Sequence, residues 1–239
     1  MRCRICDVEI NTNNSIKSHI LTNSQYIRPL TKTTKSNILG FSDGEIFNPC
    51  HNITDNTILC KKCDNRLNLY ESERSKLFKI SPEEIIYDNK FHTFKNINSY
   101  KIKMACLSDI FRCSITKIKQ FERISIGKKN EETIAKILQN CDCDSLSKYP
   151  VMIGKLKMPL DFRAVQIPHR IRDEGILYYE TVMPGAWIWK IKMDGRTNQS
   201  FDKLSVDANG ESAQFVFIKD EVVIKNILRN IVASMTIRN

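Results

Sequence analysis

Two Cys-x2-Cys pairs constrain this chain more than any other feature: Cys3-Arg4-Ile5-Cys6 and Cys60-Lys61-Lys62-Cys63. Tetrahedral zinc takes four soft ligands, and a two-residue spacer lets both thiolates of a pair reach one ion. The pairs lie far apart in sequence, so the spacing argues against a short consecutive finger. It predicts one site that ties the start of the chain to a later turn and helix. The alternatives are redox disulfides or chance among nine cysteines. Met1 and Arg2 run straight into the first pair with no apolar stretch, so no secretory signal and a cytoplasmic location are expected. Thiols stay reduced there, which favours metal over disulfide.

The remaining cysteines carry less. Cys106 and Cys113 fall on a predicted helix and read as small core residues. Cys141-Asp142-Cys143 has the wrong spacer for a zinc pair, and Cys50-His51 could add a ligand. With 239 residues, 41% hydrophobic and 27% charged, the chain can bury a real core and is globular rather than disordered. It has no apolar run long enough for a membrane span. The formal net charge of +10 favours partners that carry phosphates, nucleic acid first. An AT-rich coding bias toward Lys, Asn and Ile is the plain alternative for that surplus.

Along the chain, residues 1–12 read as a knuckle and short hairpin, and 31–57 as a long loop or weak hairpin. A helix is expected from Asp64, with Leu67, Tyr70, Arg74, Leu77 and Phe78 on one face and Glu71, Glu73 and Lys76 on the other. Residues 85–100 could form a strand or two. Residues 101–121 read as an amphipathic helix with Met104, Leu107, Phe111, Ile115 and Ile118 inward. Its lysines, Lys101, Lys103, Lys117 and Lys119, face solvent or phosphates. A second helix is expected at 131–140. After Tyr149-Pro150 the pattern turns to strands: Val151–Met158, Ile176–Val182, Ala186–Met193 and Ala213–Lys219. Alternation around Trp187 and Trp189 predicts a half-buried strand, Pro184-Gly185 a hairpin turn, and Asp220 the cap of a final helix. Between strands, Arg163, His169, Arg170 and Arg172 lie on an expected loop that could grip a nucleic-acid phosphate. The whole reads as α+β, with an N-terminal zinc module over 1–95 and an α+β domain of mainly antiparallel sheet over 96–239.

The first 70 or so residues resemble the HNH (ββα-metal) nuclease family. The matching pieces are Cys3, Cys6, His19-Ile20, Asp55-Asn56-Thr57-Ile58-Leu59-Cys60 and Cys63-Asp64-Asn65. The resemblance implies a treble-clef zinc fold with a structural Zn2+. It would make His19 the general base that activates water, and Asn56, or Asp55 beside it, the residue that orients the active hairpin. Asp64 or Asn65 would stand where the family's last histidine holds a divalent ion, Mg2+ or Mn2+. Ser18 stands where the family often has an acidic metal ligand, and that last histidine is absent. The segment Leu107-Ser108-Asp109-Ile110-Phe111-Arg112 resembles one that follows such modules in bacterial proteins found among phage-defence genes. Two functions are therefore expected. One is an HNH-like metal-dependent endonuclease acting on DNA, with a role in defence. The other is a non-catalytic zinc module that binds nucleic acid or a partner subunit in a larger complex. In a third reading the β-rich tail is the functional part.

Overall fold

The computed structural model describes residues 1–21, 39–42, 45–47, 53–79, 85–87, 91–94, 96–156, 164–183, 186–206, 213–218 and 225. The described chain is α+β. A short antiparallel pair, β1 (Ser18–His19) and β4 (Thr54–Asp55), stands apart from a nine-stranded sheet. That sheet contains β2 (Leu39–Ser42), β3 (Glu45–Phe47), β5 (Ile85–Tyr87), β6 (Phe91–Phe94), β7 (Val151–Leu156), β8 (Ala164–Asp173), β9 (Ile176–Met183), β10 (Trp187–Lys192) and β11 (Ala213–Ile218). The order across it is β3-β2-β8-β9-β10-β7-β11-β6-β5. Pairing is antiparallel except for β2 with β8 and β7 with β11. The helices are α1 (Lys61–Ser75), α2 (Ser99–Ile115), α3 (Lys128–Asn140), α4 (Cys143–Leu146) and α5 (Gln199–Leu204).

The early chain is built into this sheet. The β2–β3 hairpin forms one edge, and the β5–β6 hairpin forms the other. The boundary expected at residues 95 and 96 therefore has no counterpart in the sheet. It has none in the core either, where one hydrophobic cluster runs from Cys3 and Leu67 through Phe111 to Trp189 and Val206. Burying strands from both halves against the same helices removes the independent cores that two domains would need.

Each helix follows from its sequence with one recurring surprise. Asn98 caps α2 by accepting the Lys101 N–H at 2.9 Å. Gly127, at φ 80°, opens α3 in a backbone conformation that suits glycine. The surprise is charge on the inner faces. Glu71, Glu73 and Lys103, expected on solvent-facing sides, are buried: α1 and α2 pack against each other, Glu71 is bound there by Arg112, and Glu73 accepts the Asn98 N–H at 2.9 Å. The strand β10 differs from expectation too: Ile188 and Lys192 are buried along with Trp187 and Trp189, so both its faces are covered. The expected phosphate-gripping loop is in fact β8. Its register with β9 shifts between Gln166 and His169, and Pro168 sits in that irregularity. A bulge is where a strand tolerates the missing proline N–H. Cys50, His51, Arg163, the Pro184-Gly185 turn and the helix expected after Asp220 lie outside the described residues.

Candidate metal centre

The first cysteine pair sits on a tight turn. The Cys3 N–H donates to Val8 O at 2.8 Å, and the Asp7 N–H returns to Cys3 O at 2.9 Å. Asp7 takes a left-handed conformation at φ 59°, which aspartate tolerates better than most residues. Its carboxylate is held by Arg2 through two bonds of 2.7 Å. The second pair opens a helix: Cys60 is the residue before α1 and Cys63 lies in its first turn. Two main-chain bonds bring the pairs together: the Arg4 N–H reaches Ile58 O at 2.9 Å, and the Lys61 N–H reaches Asn14 O at 2.8 Å. Within the second pair, the Asp64 N–H closes on Cys60 O at 3.0 Å and starts the helix.

The result is a group of four thiol sulfurs, from Cys3, Cys6, Cys60 and Cys63, all within 4.8 Å of one another. Cys6 Sγ and Cys60 Sγ are 3.7 Å apart. Zn–S bonds of about 2.3 Å in a tetrahedron place sulfurs about 3.8 Å apart, whereas a disulfide holds them at about 2.05 Å. The spacing is thus that of ligands around an ion such as zinc. One of the thiols, Cys3, is poised to lose its proton. The Cys63 S–H, donated to Cys3 Sγ, pulls the Cys3 thiol down to about 4, against burial and with help from the N–H groups of Cys6, Cys60 and Ile5. The Cys63 thiol is pushed up by the same interaction. A dication at the centre replaces those shared protons, and the N-terminus of α1 favours the negative charge that results.

Behind the cysteines lies a buried polar network. Ser18 Oγ, on β1, donates to Asp64 Oδ1, on α1, at 2.6 Å. The Arg112 guanidinium, on α2, reaches the same carboxylate at 3.3 Å and also binds Glu71. One turn along, Arg74 binds Asp109, both fully buried. Two arginines face three carboxylates, so one carboxyl is in excess. Burial, which outweighs the pull of Arg112, raises the Glu71 carboxyl above its usual range. Asp55 is committed as well: Thr57 Oγ1 donates to it at 2.6 Å and Thr116 Oγ1 at 2.7 Å. These bonds hold its carboxyl below the usual range although burial opposes them.

The residues expected for catalysis are brought into one neighbourhood but not onto one face. His19 is half-buried on β1, opposite Thr54. Alternation along the strand turns its ring away from the side on which Ser18 meets Asp64. Asn56, just past β4, and Asn65, in the first turns of α1, are exposed. Asp64 is buried and bonded to Ser18 and Arg112, not open to a hydrated ion. Among the described residues, the four cysteines are the one group of His, Cys, Asp or Glu gathered closely enough to hold a metal. The residues expected to grip nucleic acid divide. Arg170 and Arg172 are exposed on β8, and Arg172 donates to Gly175 O at 3.1 Å. His169 is largely buried, with Nε2 3.9 Å from Glu180 Oε1. The network around Arg112 was missed from sequence. Of its members only Arg74 stood among the apolar positions of its helix in the sequence pattern.

No family model matches this chain, and no curated protein or solved structure matches it.

Proposed function

We propose that the protein is a zinc-anchored nucleic-acid-binding module, with a structural Zn2+ on Cys3, Cys6, Cys60 and Cys63 in a treble-clef arrangement, and no cleavage chemistry of its own. The observation that carries this reading is the commitment of Asp64. In the nuclease family that the sequence resembles, this corner of the helix faces a divalent cation. Here the Arg112 guanidinium is the cation beside Asp64, and Ser18 fills the remaining side with a 2.6 Å hydrogen bond. A guanidinium neutralises the carboxylate, but it offers no open coordination site for water or phosphate. The basic surplus of +10 supports a polyanionic partner.

A second reading, the HNH-like endonuclease, draws on a specific arrangement. The pair β1–β4 and helix α1 follow one another around the cysteine cluster in the ββα order, with Asn65 exposed beside Asp64. In that case His19 takes the proton from water and Asn65 helps hold Mg2+ or Mn2+. A role in phage defence, or within a larger complex with a partner subunit, rests on the resemblance alone.

One assay separates the two. Zinc-loaded protein is mixed with supercoiled plasmid and with a labelled duplex, with Mg2+, Mn2+ or EDTA. Retarded duplex and intact plasmid under every metal condition support the binding module. Metal-dependent nicking that disappears in His19→Ala, with zinc content unchanged, overturns it in favour of the nuclease.

A further inference from the structure

The segment that runs from the end of α2 into the first turn of α3, residues 117–129, is unusual in its charge. It holds Lys117, Lys119, Arg123, Lys128 and Lys129 against one acid, Glu122, and all six are exposed. It is not a loose tether. Phe121, Ile124 and Ile126 are buried in the main core, so these residues are pinned inward and the cations between them are held outward. Tyr179 Oη, on β9, donates to Ser125 O at 2.5 Å and fixes the middle of the segment to the sheet.

Further cations lie at its ends and beside its middle. At both ends lies the zinc knuckle, where Arg2 and Arg4 line two clefts. One cleft, of about 520 Å3, is lined by Arg4, Lys128 and Lys136, with Glu131 and Glu132 as its acids on α3. The other, of about 540 Å3, is lined by Arg4, Asn56 and Lys117. Beside its middle, where Tyr179 holds Ser125, Arg170 stands opposite Tyr179 across the β8–β9 pair, and Arg172 lies two residues on. The Arg170 charge acts on the Tyr179 hydroxyl that anchors the segment. The exposed cations of the segment and of β8, joined through Tyr179, thus make a cationic ridge, while at the knuckle Arg4 is paired with Glu131 at 3.2 Å and Arg2 with Asp7 at 2.7 Å.

We infer that this ridge is a docking surface for the phosphate backbone of duplex DNA. The inference rests on the nucleic-acid reading above and assigns it a face. Charge complementarity selects a polyanion, and the pre-set spacing of the cations lowers the ordering cost of gripping it. The aromatic residues at the ridge among the described residues, Phe121 and Tyr179, are buried, so neither ring is offered for bases to stack on. Recognition of single strands depends on such stacking, whereas a duplex presents phosphates alone to a ridge of this kind.

The test compares two triple variants with equal change in net charge. One, Lys119→Glu/Arg123→Glu/Lys129→Glu, inverts the ridge. The other, Lys17→Glu/Lys148→Glu/Lys203→Glu, changes exposed lysines elsewhere. Affinity for a labelled 20-base-pair duplex, in two unrelated sequences, and for its single strand is measured by anisotropy from low to moderate salt. Zinc content and circular dichroism are checked to be unchanged. The ridge variant is expected to lose on the order of 10-fold or more in affinity, and its log–log salt slope to shrink by about 3, one unit for each phosphate no longer neutralised. The other variant is expected to stay within about threefold of the parent. If both variants weaken binding equally, or the ridge variant binds as the parent does, the ridge is overturned while the nucleic-acid reading stands. Tighter binding to the single strand overturns the duplex assignment. No binding by the parent protein overturns both readings together.

Discussion

Ser18 Oγ donates to Asp64 Oδ1 at 2.6 Å, joining β1 to the first turn of α1 directly behind the cysteine cluster. Both residues are buried, Ser18 completely. Removing the hydroxyl leaves Asp64 with Arg112 as its charged partner, so Ser18→Ala is expected to cost about 1–3 kcal/mol. Asp64→Ala removes a carboxylate from beside a buried guanidinium and is expected to cost about 3–5 kcal/mol. Urea denaturation of zinc-loaded protein checks both values. Equal stability of Asp64→Ala and the parent would show that Arg112 does not need this partner.

The Arg112 network makes a different prediction for paired substitutions. Arg112→Met alone strands Asp64 and Glu71 and is strongly destabilising. Combining it with Glu71→Leu and Asp64→Asn removes the stranded charges and is expected to recover most of that loss, because ion pairs gain little over well-packed apolar groups once both partners are gone. A double-mutant cycle between Arg112 and Glu71 measures the coupling.

Glu180 gives the pH dependence. Burial, with Lys190 acting against it, raises its carboxyl from 4.5 to about 6. A raised folded value means that the folded state holds the proton more tightly. Its stabilising contribution is therefore complete below pH 4.5 and fades as pH rises through about 6. Relative to Glu180→Gln, the parent should lose about 2 kcal/mol in all, from well below the lower value to well above the higher one, at about 1.36 kcal/mol per pKa unit. Thermal melts of both proteins from pH 4.5 to about 7 test this, and a difference that stays flat across the range would refute it. Comparing the pair cancels the loss of metal in acid, which affects both alike.

His19→Ala is expected to leave DNA affinity within about threefold of the parent and plasmid intact in both proteins, since His19 faces away from Asp64. Loss of a cutting activity in the variant would instead assign His19 the role of base.

Much of this architecture was legible from residue patterns. The cysteine spacing pointed to one site linking the first turn to a later helix, and the sulfurs do converge. The three longest helices and the strands around Ile153, Tyr179, Trp189 and Phe215 lie where periodicity put them. Two features were hidden. Strand β8 was concealed by Pro168 and by its arginines, which read as a loop until the bulge and the neighbouring β9 supply the pairing. The inward charges of α1 and α2 were concealed because a single helix gives no sign of a complementary neighbour: Glu71 reads as a surface residue until Arg112 is placed beside it. Long-range partnership, rather than local propensity, decides both.

The most direct test of the account is the metal content of the purified chain. Native mass spectrometry with elemental analysis should find one zinc per chain, bound through deprotonated thiols. Cobalt substitution should give the visible bands of a tetrahedral thiolate site. Cys60→Ser should lose the metal and, with it, protection of the β1–α1 region from hydrogen exchange. A protein that carries no metal after purification in zinc, takes up none on titration, and shows the same exchange protection in Cys60→Ser would contradict the zinc anchor on which the rest depends.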